Sequence, residues 1–191
     1  RYLYDDMFVE QTVRSAPQRM TETDKTILRD KSLDYRVLNL ASNTFNENET
    51  SYYHKSIGGY SAAKLRRYQE MIDAHIAQEK NKVWNAVAEA GGDMTLVKGD
   101  SLFPVLNMLN TKYFIMPLQA EQTVPVQNPY AYGNAWFVDK VNYMANANEE
   151  IDAVGKYNLR YQAVADAKFR EQLGESVPQD DTSIAKLTQY K

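Results

Sequence analysis

The sequence predicts an α/β (or α+β) domain built on a mixed sheet that is at least partly parallel. Three stretches lead there. Tyr35-Arg36-Val37-Leu38-Asn39-Leu40 alternates and is rich in strand formers. Tyr113-Phe114-Ile115-Met116 is a compact apolar run halted by Pro117. The residues between them carry helical periodicity, and strand, helices, strand is the order of a parallel crossover unit, which is nearly always right-handed. The 191 residues suffice for one core without staples, since a domain of ~150 residues buries about 70% of its unfolded surface.

In chain order, residues 1–20 read as a docking arm, with Tyr2 and Tyr4 covering an edge of the core. Thr21 to Asp24 supply N-cap hydroxyls and first-turn acids for a short helix over Lys25-Thr26-Ile27-Leu28 that ends near Asp30. After the first strand, Ala41 to Thr50 is dominated by Asn, Ser and Thr, which favour turns. A loop leaving a strand end is where open α/β sheets place ligand contacts. The stretch Ser51 to Arg67 passes from an aromatic and polar loop, through the Gly58-Gly59 pair, into an amphipathic helix.

Leu65, Tyr68, Ile72 and Ile76 form one apolar stripe of that helix. A second segment, Lys82 to Ala90, directs Val83, Trp84, Val87 and Ala88 inward and stops at Gly91-Gly92; the two segments are either separate or one kinked helix. Asp100 or Ser101 caps a short helix with Pro104 near its start and Val105, Leu106 and Leu109 inward, and Asn110 suits a left-handed exit. Gln119 to Asn134, with Pro125, Pro129 and Gly133, reads as a long surface loop. Ala135 to Val141 is predicted as a strand, Asn148 to Val154 as a helix capped by Asn148, Tyr161 to Ala165 as a strand and Lys168 to Leu173 as a helical turn. The organisation is thus an arm over 1–20, one domain over 21–174, and a tail over 175–191 made of a connector and a terminal strand, Ser183 to Tyr190, whose pairing partner is expected beyond the chain's end.

Composition narrows the function. With 22 basic and 25 acidic residues and a net charge of -3, the chain lacks the basic field that nucleic-acid binding uses, so nucleic acid is not an expected partner. The absence of cysteine excludes disulfides, thiolate catalysis and cysteine-ligated metals. No run approaches the ~20 apolar residues needed to span a bilayer, and no signal peptide is evident. The chain as given reads as soluble, and from its opening on Arg1 and its polar end at Lys191 the expectation is a fragment of something longer.

His54 and His75 are the only histidines, too few and too far apart for a zinc site; no metal or cofactor is expected. Ser56 two residues from His54 does not form a nucleophile elbow, and Gly58-Gly59 lacks the spacing of a phosphate loop. Lys55, Lys64, Arg66 and Arg67 at a helix start could hold one phosphate, although the glycine pair on its own makes a turn. Fourteen tyrosines are many for this length. Tyr52, Tyr53, Tyr60, Tyr130 and Tyr132, with Trp136, fall in predicted loops and suit sugar rings; interior packing is the competing account.

Four ordered blocks carry a family resemblance: Asp34 to Leu40; Ser51 to Tyr60 continuing through Ala63-Lys64-Leu65-Arg66-Arg67-Tyr68-Gln69; Leu106 to Ile115; and Asn128 to Val138. Together they resemble the extracytoplasmic part of YfhO-like bacterial membrane proteins of the Bacteroidetes type. The resemblance implies a polytopic parent similar to glycosyltransferases that use lipid-linked sugars. Such a parent would place this domain at the periplasmic face of the inner membrane, with flanking transmembrane segments and an envelope glycan or lipid-linked sugar as partners. Catalytic carboxylates of such enzymes lie in loops tied to membrane helices, so no catalytic residue carries over. The implied contact surface comprises Tyr52, Tyr53, His54, Lys55, Ser56, Gly58, Gly59 and Tyr60 from one loop and Asn128, Tyr130, Asn134 and Trp136 from another. The rival expectations are a non-catalytic glycan- or partner-binding module and a scaffold for the membrane helices.

Overall fold

Val37 and Leu38 are both wholly buried although they are adjacent in a strand, so the strand that holds them is covered on both faces. That strand, β1 (Arg36–Asn39), pairs in parallel with β2 (Thr111–Pro117), Leu38 opposite Phe114 and Asn39 opposite Ile115. β3 (Thr123–Gln127) lies antiparallel on the far side of β2, giving the order β1-β2-β3. The computed structural model describes residues 19–119, 122–174 and 185–189. The arm over 1–18 and the connector over 175–181 therefore lie outside the described residues. Of the expected terminal strand, 185–189 is irregular and the rest is likewise outside them.

The layers follow from side-chain alternation. Val37 and Ile115 face Ile27 of α1 (Glu22–Ile27). Leu38, Phe114 and Met116 face the larger core, which includes Ile57, Ile72, Ile76, Val83, Val87, Phe103 and Leu106. The fold is thus a mixed α/β domain with a partly parallel sheet, as the sequence predicts, and with helices on both sides of that sheet. α1 carries a full capping box, in which the Thr21 hydroxyl accepts from the Asp24 N–H (3.1 Å) and the Asp24 carboxylate accepts from the Thr21 N–H (2.8 Å). The Thr23 hydroxyl ties the helix to β3 by donating to the Thr123 carbonyl (2.6 Å).

The free edge of β1 is closed by the chain's central stretch. The Val37 N–H donates to the Lys55 carbonyl and the Ile57 N–H donates to the Val37 carbonyl, both at 2.9 Å, so residues 55–57 run beside β1 as a one-bridge extension of the sheet. Ahead of it, α2 (Thr50–Tyr53) makes a helical turn where the sequence suggests loop. Behind it, the backbone folds against residues 44–47, the Gly59 N–H donating to the Thr44 carbonyl (2.7 Å) and the Tyr60 N–H to the Glu47 carbonyl (2.8 Å). A Cβ on Gly58 would fall 1.9 Å from the Thr44 oxygen, while Gly59 sits at φ 97° in open space apart from the Glu47 carbonyl. One glycine is required by contact, the other by conformation.

The two predicted helical segments are one continuous rod: α3 (Arg66–Met71), a π turn (Ile72–Ile76) and α4 (Ala77–Glu89). Its buried stripe runs Ile72, Ile76, Glu79, Val83 and Val87. Trp84 (41% exposed) and Ala88 lie outside it, and Leu65 (77% exposed) precedes the helix as its N-cap, so these three expected core positions are corrected. A three-residue step from Ile76 to Glu79 followed by four-residue steps selects Val83 and Val87 over their neighbours. Gly91 and Gly92, both at positive φ, end the rod as expected. A turn, α5 (Gly99–Leu102), leads to α6 (Pro104–Met108), whose N-cap is Phe103 with no side-chain bond of its own; neither Asp100 nor Ser101 caps it. The capping carboxylate comes from α4. Glu79 accepts the N–H groups of Val105 (3.1 Å) and Leu106 (2.9 Å). Asn110 takes φ 55° at the exit, as its residue type suggests.

Three further expectations are revised. The surface loop over 119–134 contains β3, with Pro125 opposite Ile115; an edge strand tolerates proline, and this is where the reading of proline as a strand breaker fails. The strand expected at 135–141 begins only at Lys140, because Trp136 and Asn134 anchor the preceding residues elsewhere. The cap of α7 (Ala147–Val154) is Asn146, two residues earlier than expected. β4 (Lys140–Met144), α7 and β5 (Gln162–Asp166) form a second, parallel two-stranded unit, followed by the short α8 (Arg170–Leu173). The His75 imidazole pins this unit to the π turn through the Ile151 carbonyl (2.7 Å), Gly155 packing on the ring. Arg67 meets Glu150 across the same boundary (2.9 Å).

The glycine pair gives a direct check. Gly58→Ala is expected to lower unfolding stability by about 3 kcal/mol because backbone, not a flexible side chain, meets the new methyl. Gly59→Val should cost ~1–2 kcal/mol through its positive φ alone. Urea denaturation of both variants measures the difference, and equal effects would contradict the separate roles.

Candidate functional site

The two loops of the expected contact surface meet at one residue, Asp34, which adopts φ 53° at the entry to β1. Its carbonyl accepts from the side-chain amides of Asn110 (3.0 Å) and Asn134 (2.8 Å), and its carboxylate pairs with Lys55. All four sequence blocks that carry the resemblance therefore touch here. The meeting is structural: Lys55 and Asn134 spend these groups on the frame.

Asn128 is buried, and Tyr130 and Trp136 are half-buried against the core. The Asn128 amide donates to Asn107 Oδ1 (2.9 Å) and to the Thr111 carbonyl (2.8 Å), and its oxygen accepts the Tyr130 N–H (3.0 Å). Asn107 in turn donates to the Gly99 carbonyl (3.0 Å), so a fully bonded polar chain runs beneath α6. The Tyr130 hydroxyl donates to the Val97 carbonyl (2.6 Å), and its ring lies against Gly99 and edge-on to Phe103. The Trp136 indole N–H donates to the Leu159 carbonyl (3.1 Å) and the ring packs on Tyr132 at 5.1 Å. Tyr132 is buried. Burial first and the nearby Asp100 next push its phenol up to about 12.

In the other loop, the Ser56 hydroxyl accepts the Gly58 N–H (3.0 Å), a local turn bond that points to no nucleophilic role. The His54 side chain is buried with Nε2 2.9 Å from Asp24 Oδ1. The other Asp24 oxygen accepts from both the N–H and the hydroxyl of Thr21. Burial raises the Asp24 carboxyl, but the Thr21 bonds and then His54 outweigh it and hold the group below its ordinary value. Tyr52 (66% exposed) and Tyr60 (65% exposed) stand out in solvent; Tyr53 is half-buried, its ring edge-on to Tyr52.

A cleft of about 220 Å³ opens beside Tyr53 and Asp24, past the carboxyl ends of β1 and β2, the usual ligand position in an open α/β sheet. Arg19, Ser42, Glu49 and Thr50 are among its other polar lining residues. Of the expected residues only Tyr53 lines it, with His54 behind Asp24. Ser42 and Glu49 belong to the loop flagged by its place after a strand, whereas nothing local marks Arg19 or Asp24. The Ser42 hydroxyl is buried and has no hydrogen-bond partner among the described residues. No cluster of three or more His, Cys, Asp or Glu able to hold a metal ion occurs among the described residues, nor is any described helix long and apolar enough to cross a membrane.

No protein-family model matches this sequence, and neither a curated protein nor a solved structure matches it significantly.

Glu79 provides a pH test. Its burial outweighs the bonds from Leu106 and Val105 and pushes the carboxyl up to about 7 from 4.5. The folded state then holds this proton more tightly than the unfolded one. The resulting stabilisation is complete below about pH 4.5 and is lost as pH rises through about 7, on the order of 3 kcal/mol in all. The urea midpoint should fall between pH 5 and pH 8, and Glu79→Gln should flatten that slope; an unchanged slope in the variant would assign it to other groups.

Proposed function

We propose that this chain is an extracytoplasmic domain of a YfhO-like membrane protein that holds carbohydrate, from an envelope glycan or a lipid-linked sugar, while transfer chemistry takes place elsewhere in the parent. The ordered sequence blocks support the family reading. One observation supports holding over catalysis: His54, Lys55 and Ser56, the candidate base, cation and nucleophile, each make framework bonds, while a polar cleft with a tyrosine wall is open at the strand ends. Hydroxyl, amide and carboxylate groups beside an aromatic face are the complement of a sugar's hydroxyls and C–H faces.

A second reading, a scaffold for the membrane helices, is favoured by a different observation. Tyr52, Tyr60 and Leu65 are all largely exposed on the same short stretch of chain, a surface that another protein segment would cover.

The isolated domain is expected to bind saccharide with a Kd of about 1 mM, ~4 kcal/mol, and to leave a lipid-linked donor unconsumed. Titration calorimetry across a glycan panel, together with a turnover assay, tests both parts. Turnover by the isolated domain would overturn the division of labour. Absence of several ~20-residue apolar spans in the complete reading frame would remove the family reading.

A further inference from the structure

We infer that the cleft at the carboxyl ends of β1 and β2 is a site for a single neutral pyranose ring, with Tyr53 as its wall and Ser42, Glu49 and Thr50 as its hydroxyl contacts. This rests on the carbohydrate reading above and adds the place, the size and the charge of the ligand.

Size comes from the cavity. About 220 Å³ is below the ~300–1,000 Å³ typical of sites for drug-sized molecules, which leaves room for one ring and not for an oligosaccharide lying along the domain. Charge comes from the lining. Arg19 shares the lining with two carboxylates, Asp24 and Glu49, and Asp24 is held in its ionised form by Thr21 and His54. The cleft therefore carries no positive surplus, and a phosphate or uronate entering it would meet like charge. In a lipid-linked sugar the ring would enter while the pyrophosphate stays outside.

Chemistry comes from unmet hydrogen bonding. The Ser42 Oγ is shielded from solvent and has no partner among the described residues, so it meets a ligand in the cleft by rotating about its Cα–Cβ bond, a change that a bond to a sugar hydroxyl would offset. A sugar hydroxyl both donates and accepts, so it can satisfy a serine and a carboxylate in the same pose. Thr50 is fixed for this purpose: its hydroxyl accepts from the Asn39 amide (2.9 Å), which orients the remaining hydrogen, and its N–H is held by Glu47 (2.9 Å). Tyr53 is set by its edge-on contact with Tyr52, ring centres 5.5 Å apart.

The test is an NMR titration of the ¹⁵N-labelled chain with methyl glycosides of glucose, galactose, mannose and N-acetylglucosamine, with N-acetylglucosamine 1-phosphate as the anionic probe. A geranyl-pyrophosphoryl hexose stands for the lipid-linked source. The expected result is shifts centred on Ser42, Glu49, Thr50 and Tyr53 with a neutral glycoside, and weaker binding of the sugar phosphate. Tyr53→Ala should weaken binding about tenfold. Glu49→Gln, at an exposed position that leaves folding intact, should weaken it about fivefold. Tyr60→Ala should leave it unchanged. Whichever of the glycoside and the pyrophosphoryl sugar binds more tightly through these residues identifies the source. Shifts confined to Tyr52, Tyr60 or the Asn128 loop would overturn the cleft while sparing the carbohydrate reading. Tighter binding of the sugar phosphate would overturn the neutral ligand, and no shift with any sugar would overturn both.

Discussion

Three separate stretches of the chain are held in register by the backbone oxygen and carboxylate of Asp34. The residue sits in left-handed backbone territory at the mouth of β1, where its carbonyl is turned to receive two asparagine amides at once. Asn110 brings in the exit of α6 and the start of β2; Asn134 brings in the loop after β3; Lys55 brings in the segment that closes the sheet's edge. An aspartate tolerates this backbone better than most residues, since its short polar side chain can bond locally. Loss of the arrangement would leave the edge of β1 open and the buried Asn110 amide without its partner, a cost of ~1–3 kcal/mol, while the exposed Asn134 amide would turn to water.

A second polar system does the same work deeper in the molecule. Asn107 and Asn128 bond to each other and to the carbonyls of Gly99 and Thr111, so the loop carrying Tyr130 and Tyr132 is fastened under α6. Glu79 fastens the top of the same helix from α4. Both ends of a five-residue helix too short to be stable alone are thus tied by side chains from elsewhere. These ties keep β2 in place, and with it one wall of the cleft, whose lining includes Ile115.

What was legible in the sequence was local. The capping box of α1 is written in Thr21 and Asp24, the helix stop in Gly91 and Gly92, and the left-handed exit in Asn110. The parallel pair was legible because both strands are apolar and flanked by turn residues. β3 was hidden by Pro125, which is acceptable only on an edge that the sequence does not announce. The site fared worse, for a physical reason. Asn128, Tyr130 and Trp136 have the composition of a contact surface, yet their polar atoms are met by carbonyls and an amide remote in sequence, and residue type alone cannot separate a satisfied interior group from a waiting one. Asp24 and His54 meet across 30 positions, and neither Arg19 nor Asp24 carries a local mark of the cleft they line.

The π turn at Ile72–Ile76 is the equivalent of one residue let into an otherwise regular rod. Each α-helical residue advances the helix by about 100°, so excising one residue here, Ala74 for instance, would restore an uninterrupted spiral while swivelling α3 by roughly that angle relative to α4. Tyr68 would turn its hydroxyl from the Ile57 carbonyl, Arg67 would leave Glu150, and the β4-α7-β5 unit would lose its mooring at the imidazole of His75. The extra residue is thus the spacer that lets one helix serve two sheets, and the length of this rod is more tightly constrained than its composition.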